Sequence, residues 1–413
     1  MKTLNTKPQK TALNIALGLA LLGTSSFAAQ ANSITEALTS GKASANLNLR
    51  YESVEQDNES KDASALTVRT RLGYTTGSVS GFSATVELED SRIVLGQGDY
   101  TVGPSGYNPG VYSVIADPEH TELDQGYVQY KNDVVTAKVG RQVITMDGHR
   151  FIGHVGWRQD RQTFDAASFK VTPNKDLTLQ YAYITQRNRI FGQDADFDAK
   201  DHLINASYKT SVGTLTGYGY LLEVDNDTDN ALDTFGISFA GATKAGDAKI
   251  IYRAEYASQT SESATAEYDA SYLNLEAGAV FSGITAKLGY EILGSDDGAY
   301  GFSTPLATLH KFNGWSDQFL ATPTQGLVDT NVSLAGKAFG GGWKIAYHMF
   351  DADDAADTGI DDLGSELNVS YAKAFGKHFN AGIKYAAYSA GDVSDTFKKY
   401  DTDKLWAWVG VKF

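Results

Sequence analysis

The stretch that decides the fold is the last ten residues, Lys404-Leu405-Trp406-Ala407-Trp408-Val409-Gly410-Val411-Lys412-Phe413. Every second residue from Leu405 onward is apolar, whereas the residues between them are two lysines, two tryptophans and a glycine. Side chains alternate between the two faces of a strand, so this segment predicts a strand with one apolar face. An ordinary edge strand would leave an exposed edge that recruits other chains. Pairing with the first strand would close a barrel and remove that edge.

Length and composition keep both a barrel and a soluble fold open. The 413 residues suffice for one large barrel or for two soluble domains. The chain has 41 glycines and 23 tyrosines, which fit tight turns and the aromatic girdles of membrane barrels. It contains no cysteine, so disulfides and thiolate metal sites are excluded. The net charge of −15 disfavours nucleic-acid binding.

The first 31 residues have the pattern of a signal peptide. Three early lysines precede an apolar run over residues 12–22, and Ala29-Gln30-Ala31 provides a small-x-small cleavage pattern. We therefore expect a signal peptide over residues 1–31 and one barrel domain over residues 32–413. The alternative, an N-terminal membrane anchor, is disfavoured because the apolar run is shorter than the roughly 20 residues that a spanning helix needs.

Alternation of apolar and polar residues recurs along the rest of the chain. Residues 45–52, 66–74, 82–89, 248–256 and 284–292 all follow it, as half-buried strands do. In a soluble sandwich the apolar set would face a core. In a membrane barrel it would face lipid, and the polar set would face a wet lumen.

The lengths of the connections favour the barrel. We predict about 18 strands, starting near residues 44, 64, 81, 122, 134, 163, 176, 202, 214, 232, 247, 269, 283, 327, 342, 364, 378 and 402. Their connections alternate between long and short, so that one barrel end carries loops and the other carries tight turns, as in outer-membrane barrels. The fold class predicted is all-β: a transmembrane antiparallel up-and-down barrel with both termini on the periplasmic side.

Basic residues on the polar parity of the predicted strands are expected to point into the lumen. A charge facing lipid would cost about 2–4 kcal/mol near the bilayer midplane. The residues concerned are Arg50, Arg69, Arg71, Lys138, Lys170, Lys249, Arg253, Lys287 and Lys344. They could form structural ladders with lumenal glutamates. Alternatively, they could line a pore that favours anions, since rings of charge set channel selectivity.

The densest group of such residues lies between Gly140 and Asp165. This run holds Arg141, Arg150, Arg158 and Arg161 together with two histidines and a tryptophan. Such a composition is unusual for a solvated loop. We expect the loop to fold inward and narrow the channel, with arginines pairing to Asp160 or Asp165.

This run resembles the alginate-export family of bacterial outer-membrane porins. A second stretch, from Phe302 through Phe312-Asn313-Gly314-Trp315-Ser316-Asp317 to Asp329, is similar to that family too. The resemblance implies a monomeric 18-stranded barrel whose arginine-lined constriction passes anionic sugars or similar solutes. It carries the constriction role onto Arg141, Arg150, Arg158 and Arg161. Strict alternation from Val135 would turn Arg141 outward unless Gly140 forms a bulge.

The final strand also resembles the closing strand of outer-membrane barrels, in which the terminal aromatic residue is read by the insertion machinery. That role would fall to Phe413. Lipid and lipopolysaccharide are the other partners implied, and the aspartate-rich run 351–362 could face the divalent cations that bridge lipopolysaccharide. No arginine follows Arg253, and carboxylates share the lumen, which favours a general anion-tolerant porin over a dedicated alginate exporter.

Metal and catalytic sites are not predicted. Residues 225–230 begin like a calcium loop but lack the glycine at the sixth position, and Gly236 stands where a bidentate glutamate belongs. Seven histidines are present without a Gly-x-Ser-x-Gly or His-Glu-x-x-His motif.

The sequence therefore predicts a passive outer-membrane porin for small, anionic solutes with no cofactor. Export of an anionic polysaccharide is the alternative, and a hydrolase or a purely structural barrel is less favoured.

Overall fold

A computed structural model of the protein describes residues 33–58, 60–102, 108–228, 230–355, 359–394 and 397–413. The expected signal peptide lies outside these residues. Among the helices of the described residues, none has the length and apolarity needed to cross a bilayer.

Most of the described chain is strand. A short helix, α1 (Ile34–Thr39), precedes the strands, with Ser33 as its N-cap. The strands are β1 (Lys42–Gln56), β2 (Ala63–Thr75), β3 (Phe82–Asp99), β4 (His120–Lys131), β5 (Val135–Gln142), β6 (Thr163–Val171), β7 (Leu177–Asn188), β8 (Phe197–Lys209), β9 (Thr214–Glu223), β10 (Ala231–Ala245), β11 (Ala248–Glu262), β12 (Glu267–Phe281), β13 (Ile284–Leu293), β14 (Ser295–Asp296), β15 (Tyr300–Gly301), β16 (Leu327–Ala338), β17 (Gly341–Asp351), β18 (Asp362–Phe375), β19 (Phe379–Ser389) and β20 (Thr402–Lys412).

Eighteen of these strands form one closed antiparallel barrel, and β14 and β15 form a separate small hairpin. The final strand β20 pairs with β1 over the register from Asn46↔Lys412 to Gln56↔Thr402. Phe413 extends this pairing, since its N–H donates to the carbonyl of Ala45 at 2.9 Å. Closure through the last strand is therefore confirmed, and it leaves the barrel without an exposed sheet edge.

The two alternating sets of strand side chains face opposite sides of the barrel wall, as the sequence alternation predicts. Large apolar side chains such as Val139 (62% exposed), Leu288 (64%) and Val409 (50%) lie on the outer wall. Residues on the other parity of the strands point inward and include the buried Arg50 and Glu291. Lipid contact explains an exposed apolar wall, which a soluble protein would not tolerate over this area.

The two ends of the barrel differ in their connections, as expected. One end, here called the turn end, carries eight turns of two to six residues, and the other, the loop end, carries the longer connections. The predicted strand starts agree with the observed ones to within five residues. Several predicted connections, among them 90–121, 187–201, 241–247 and 258–267, are too long, because β3 runs on to Asp99, β8 begins at Phe197, β10 reaches Ala245 and β11 reaches Glu262. Propensity alone does not show where a strand continues beyond the bilayer.

Candidate functional site: two loops inside the barrel

Two connections from the loop end pack against each other within the barrel. The first inner loop, residues 143–162, joins β5 to β6, and the second inner loop, residues 302–326, leads into β16. The N–H of Gly153 donates to the carbonyl of Leu306 at 2.7 Å, and the N–H of Thr308 donates to the carbonyl of His149 at 3.0 Å. A Cβ on Gly153 would lie 2.6 Å from the backbone nitrogen of Thr308, so only glycine permits this approach.

Apolar burial holds the first inner loop inside the barrel. Phe151 packs on the inward aromatic rings of Tyr218 (5.3 Å between centroids), Tyr272 (5.2 Å) and Phe302 (5.9 Å). Ile152 is 1% exposed and belongs to the same cluster. Burying two large apolar side chains stabilises the inward position by about 3–6 kcal/mol. The expectation that this loop folds inward agrees with its buried position.

Arg150 fastens the first inner loop to one side of the wall. Its Nε donates to Glu291 of β13 at 2.7 Å, and Asn313 of the second inner loop donates to the other carboxylate oxygen at 2.7 Å. Burial alone would lower the pKa of Arg150, but the carboxylate of Glu291 outweighs it, and the pKa is raised. The guanidinium is therefore a permanently charged, fully paired anchor.

Arg158 joins the first inner loop to the wall and to the second inner loop. Its Nη1 lies 3.0 Å from both carboxylate oxygens of Glu52 on β1, and its Nη2 lies 2.9 Å from Asp317. Asp117 lies 3.8 Å from Nη1 and also pairs with Arg50. Against the opposing effect of burial, these carboxylates raise the pKa of Arg158.

Arg161 reaches a third part of the wall. Its Nε donates to Asp124 of β4 at 3.0 Å, and it also pairs with Glu87 of β3. Nearby, Arg71 pairs with Glu89. Of the two expected partners, Asp165 is paired with Arg141. Arg150, Arg158 and Arg161 pair instead with carboxylates of the wall and, for Arg158, with Asp317 of the second inner loop.

The other predicted lumenal residues differ in their pairing. Arg253 pairs with Glu255 at 2.6 Å, whereas Arg69 donates to the amide oxygen of Asn46 at 2.7 Å. The ammonium of Lys138 lies 4.5 Å from the ring centroid of Tyr127.

Arg141 does not belong to the residues that face the lumen. Its register with Gly126 and Asp165 runs on without a bulge at Gly140, so it shares the outward parity of Val139. Its Nε donates to Asp165 at 2.8 Å. Assignment of Arg141 to the pore lining was therefore wrong, because strict alternation prevails on β5.

The second inner loop is fastened through a carboxylate that the sequence did not single out. Glu366 of β18 is fully buried and accepts the N–H of Ser316 at 2.9 Å as well as that of Trp315. Gly314 has a φ of +83°, and a Cβ there would collide with this carboxylate. Glycine is needed for the approach.

Lys384 of β19 lies at the centre of an aromatic cluster that sequence reasoning also missed. Its ammonium is 3.8 Å from the ring centroid of Trp315 and 4.3 Å from that of Trp157. It donates to His310 Nε2 at 2.7 Å, and His310 Nδ1 donates to Asp317 at 2.6 Å. Burial is the main cause that lowers the pKa of His310, to about 3, so the ring is neutral and can accept from the lysine.

Further lysines lie along the same side of the lumen. Lys311 donates to the carbonyl of Gly148 at 2.6 Å, and Lys344 lies 5.4 Å from the ring centroid of Trp315. Burial, and next the charge of Arg253, lowers the pKa of Lys311. Among the described residues, neither lysine has a carboxylate within 4.0 Å, whereas Lys287 pairs with Glu276 at 2.7 Å.

Among the described residues, the acidic loop segments contain no assembled calcium site. Asp225 pairs with Lys200 at 2.8 Å, and Asn226 caps its own turn by accepting the N–H of Thr228 at 3.2 Å. Asp229 lies outside the described residues. The run 351–362 is described apart from residues 356–358 and lies at the loop end.

A closed barrel with an apolar outer wall and charged inner loops defines an integral protein of the bacterial outer membrane. The chain belongs to the alginate export family, whose sequence pattern matches residues 35–292. No curated protein matches the chain significantly.

Solved structures with the same fold include Acinetobacter baumannii OccAB1 and Pseudomonas aeruginosa OccK9 (OpdG). OccAB1 has a TM-score of 0.69 and 13% identity, with 92% of this chain and 98% of that chain covered. OccK9 has a TM-score of 0.69 and 14% identity, with 91% and 100% covered. Pseudomonas aeruginosa OpdK, solved with vanillate, has a TM-score of 0.70 and 12% identity, with 91% and 99% covered. The fold is thus shared over nearly whole chains.

Proposed function

We propose that the protein is an outer-membrane channel that passes small hydrophilic, anionic solutes passively. The observation that carries this proposal is the lysine row formed by Lys311 and Lys344 on one side of the lumen, which have no carboxylate within 4.0 Å among the described residues. Unneutralised positive charge in a narrow, wet passage attracts anions and disfavours cations.

The inner loops give this channel its constriction. Arg150, Arg158 and Arg161 fix the first inner loop to three parts of the wall, while Arg50 and Arg71 belong to the same ion-pair network. Arg69, Lys138 and Arg253 line the adjoining wall. In this proposal the arginines set the width of the passage because they hold the loop. The lysines set its charge preference.

The test is the reversal potential of the purified protein in a planar bilayer under a KCl gradient. The double variant Lys311→Gln/Lys344→Gln is expected to move the reversal potential toward cation preference. Lys200→Gln is the matched control, since Lys200 lies on the exposed parity of β8 at the loop end. An equal response of both variants, or none in the double variant, would refute the role of the lysine row.

Small aromatic carboxylates are suitable probe solutes, because OpdK, a neighbour in fold, was solved with vanillate. The proposal expects vanillate to enter protein-containing liposomes faster than an uncharged compound of equal size. The double lysine variant should reduce that difference.

Export of an anionic polysaccharide such as alginate is the second candidate, and the family match favours it. A polymer must thread past both inner loops, whereas a small solute need only pass beside them. Passage of uronic-acid oligomers across liposomes at a rate comparable to that of single sugar acids would favour the exporter. Hydrolysis of lipid or peptide substrates by the purified barrel would favour the less supported enzymatic alternative.

We also propose that the termini and the turn end face the periplasm, that the barrel works as a monomer, and that Phe413 is recognised during insertion. The Phe413 ring is 54% exposed and stacks on His378 at 5.0 Å between centroids. It is therefore accessible at the rim. Phe413→Ser is expected to reduce the amount of folded barrel in outer membranes.

A further inference from the structure

A buried group of potential metal ligands lies beside the first inner loop and has no part in the proposed ion selectivity. Glu89 of β3, His120 at the start of β4 and Asp160 of the first inner loop each offer one ligand atom, and these atoms all lie within 4.8 Å of one another. The three residues come from three separate segments. Their convergence is a product of the tertiary fold.

The carboxylate of Asp160 is the strongest sign of a missing ligand. Asp160 is 0% exposed, and neither of its oxygens accepts a hydrogen bond. The Oε1 atom of Glu89 is also buried without a hydrogen bond. Buried polar atoms in native proteins are nearly always paired, because an unpaired one costs about 1–3 kcal/mol, and more when charged.

His120 has the orientation of a metal ligand. Its Nδ1 lies 3.3 Å from the carbonyl of Pro118, which can only accept, so Nδ1 carries the proton. Its Nε2 lies 3.2 Å from Asp160 Oδ2 without making an aligned hydrogen bond. Metal-binding histidines usually donate their second ring nitrogen to such a carbonyl. Two ligand atoms of a tetrahedral zinc lie about 3.4 Å apart.

The surrounding charges leave room for a dication. Arg71 and Arg161 are occupied by Glu87, Glu89 and Asp124. Asp160 has His120 as its only ion-pair partner among the described residues.

We propose that Glu89, His120 and Asp160 bind a divalent transition-metal ion of the zinc type, which ties the first inner loop to β3 and β4. One imidazole and two carboxylates are a donor set that suits zinc, and water would complete the shell. Binding of this ion would add a fixed contact next to that of Arg161 and would keep the loop inside the barrel.

The test uses the full barrel in detergent micelles, loaded with ZnCl2, freed of excess metal and assayed by elemental analysis. The expected result is about one zinc per chain, with at least a tenfold loss in Asp160→Asn and in His120→Gln. His348→Gln is the matched control, because His348 also pairs with a buried carboxylate, but Asp329 accepts further hydrogen bonds. It should retain the zinc.

Wild-type protein without zinc, or zinc retained in both ligand variants, would overturn the proposal. Electrophoretic heat-modifiability identifies variants that fail to fold. Should both ligand variants fail to fold, X-ray absorption at zinc in the wild-type protein identifies the ligands. One imidazole with oxygen ligands supports the site. Two imidazoles would assign the metal instead to His149 and His154, whose ring centroids lie 4.9 Å apart. Zinc content is measured without a conductance recording. A negative result for the metal site is therefore distinguishable from a negative result for the channel proposal.

Discussion

Arg150 and Glu291 form a buried ion pair, Nε to Oε1 at 2.7 Å, between the first inner loop and strand β13. The carboxylate also accepts from Tyr272 at 2.6 Å and from Asn313 at 2.7 Å. The pair is thus one member of a satisfied polar network rather than an isolated bridge. Such networks hold a loop in one position, because each partner would be left buried and unpaired by any displacement.

The first prediction concerns this pair. Arg150→Met should leave Glu291 uncompensated and weaken the inward position of the loop by about 3–5 kcal/mol. Hydrogen exchange across residues 143–162 should then accelerate. Arg150→Met/Glu291→Gln should recover part of the loss, because neither charge is left unpaired. Additive effects of the two single variants in the cycle would show that the pair is not coupled.

The second prediction concerns the contact between the inner loops. Gly153→Ala should force the loops apart, because its Cβ would collide with the backbone of Thr308. We expect faster cleavage by an added protease within residues 143–162 or 302–326, and noisier single-channel currents. Gly217→Ala is the control, since nothing lies within 4 Å of a Cβ at that position. Equal protease resistance of the two variants would contradict this account.

The third prediction is that joint neutralisation of Arg150, Arg158 and Arg161 by glutamine shifts the channel toward cation preference. Glu52, Glu87 and Glu291 would lose these arginines as ion-pair partners and add negative charge to the lumen. Conductance should rise at the same time, since the loop loses its three ion-pair attachments to the wall. The measurement is the reversal potential together with single-channel conductance. An unchanged reversal potential would remove these arginines from the constriction.

The fourth prediction concerns acid. His310 has a pKa of about 3 in the closed structure, lowered mainly by burial, whereas an exposed histidine titrates near 6.5. An open second inner loop therefore binds more protons than a closed one between those two values. The closed state of the loop therefore has its full stability above about pH 6.5. As pH falls below that value, the equilibrium constant for closing decreases by up to about tenfold per pH unit.

Hydrogen exchange of residues 302–326 between pH 7 and pH 4, corrected for the intrinsic pH dependence of exchange, measures this effect. His310→Gln should flatten the dependence, because no group at this position then gains a proton on opening. An equally steep dependence in that variant would assign the acid response to other groups.

Much of this fold follows from the sequence, because side chains along a barrel strand alternate between lipid and lumen with a period of two residues. Val409 and Leu288 are apolar and Arg50 and Glu291 are charged for one reason: neighbours on a strand face lipid and lumen in turn. Strand positions, closure through β20 and the outward orientation of Arg141 all follow from that rule. The composition of residues 140–165 likewise indicated an inward loop.

The partners of the inner loops were decided only by the tertiary structure. Arg158 meets Glu52 from 106 residues earlier in the chain, and Gly153 meets Leu306 of the other loop. No periodicity relates such positions, because an irregular loop has no repeating side-chain direction. The cluster around Lys384 and the convergence of Glu89, His120 and Asp160 arise in the same way. Barrel closure brings distant strands to one lumen, and burial there decides which charges are paired.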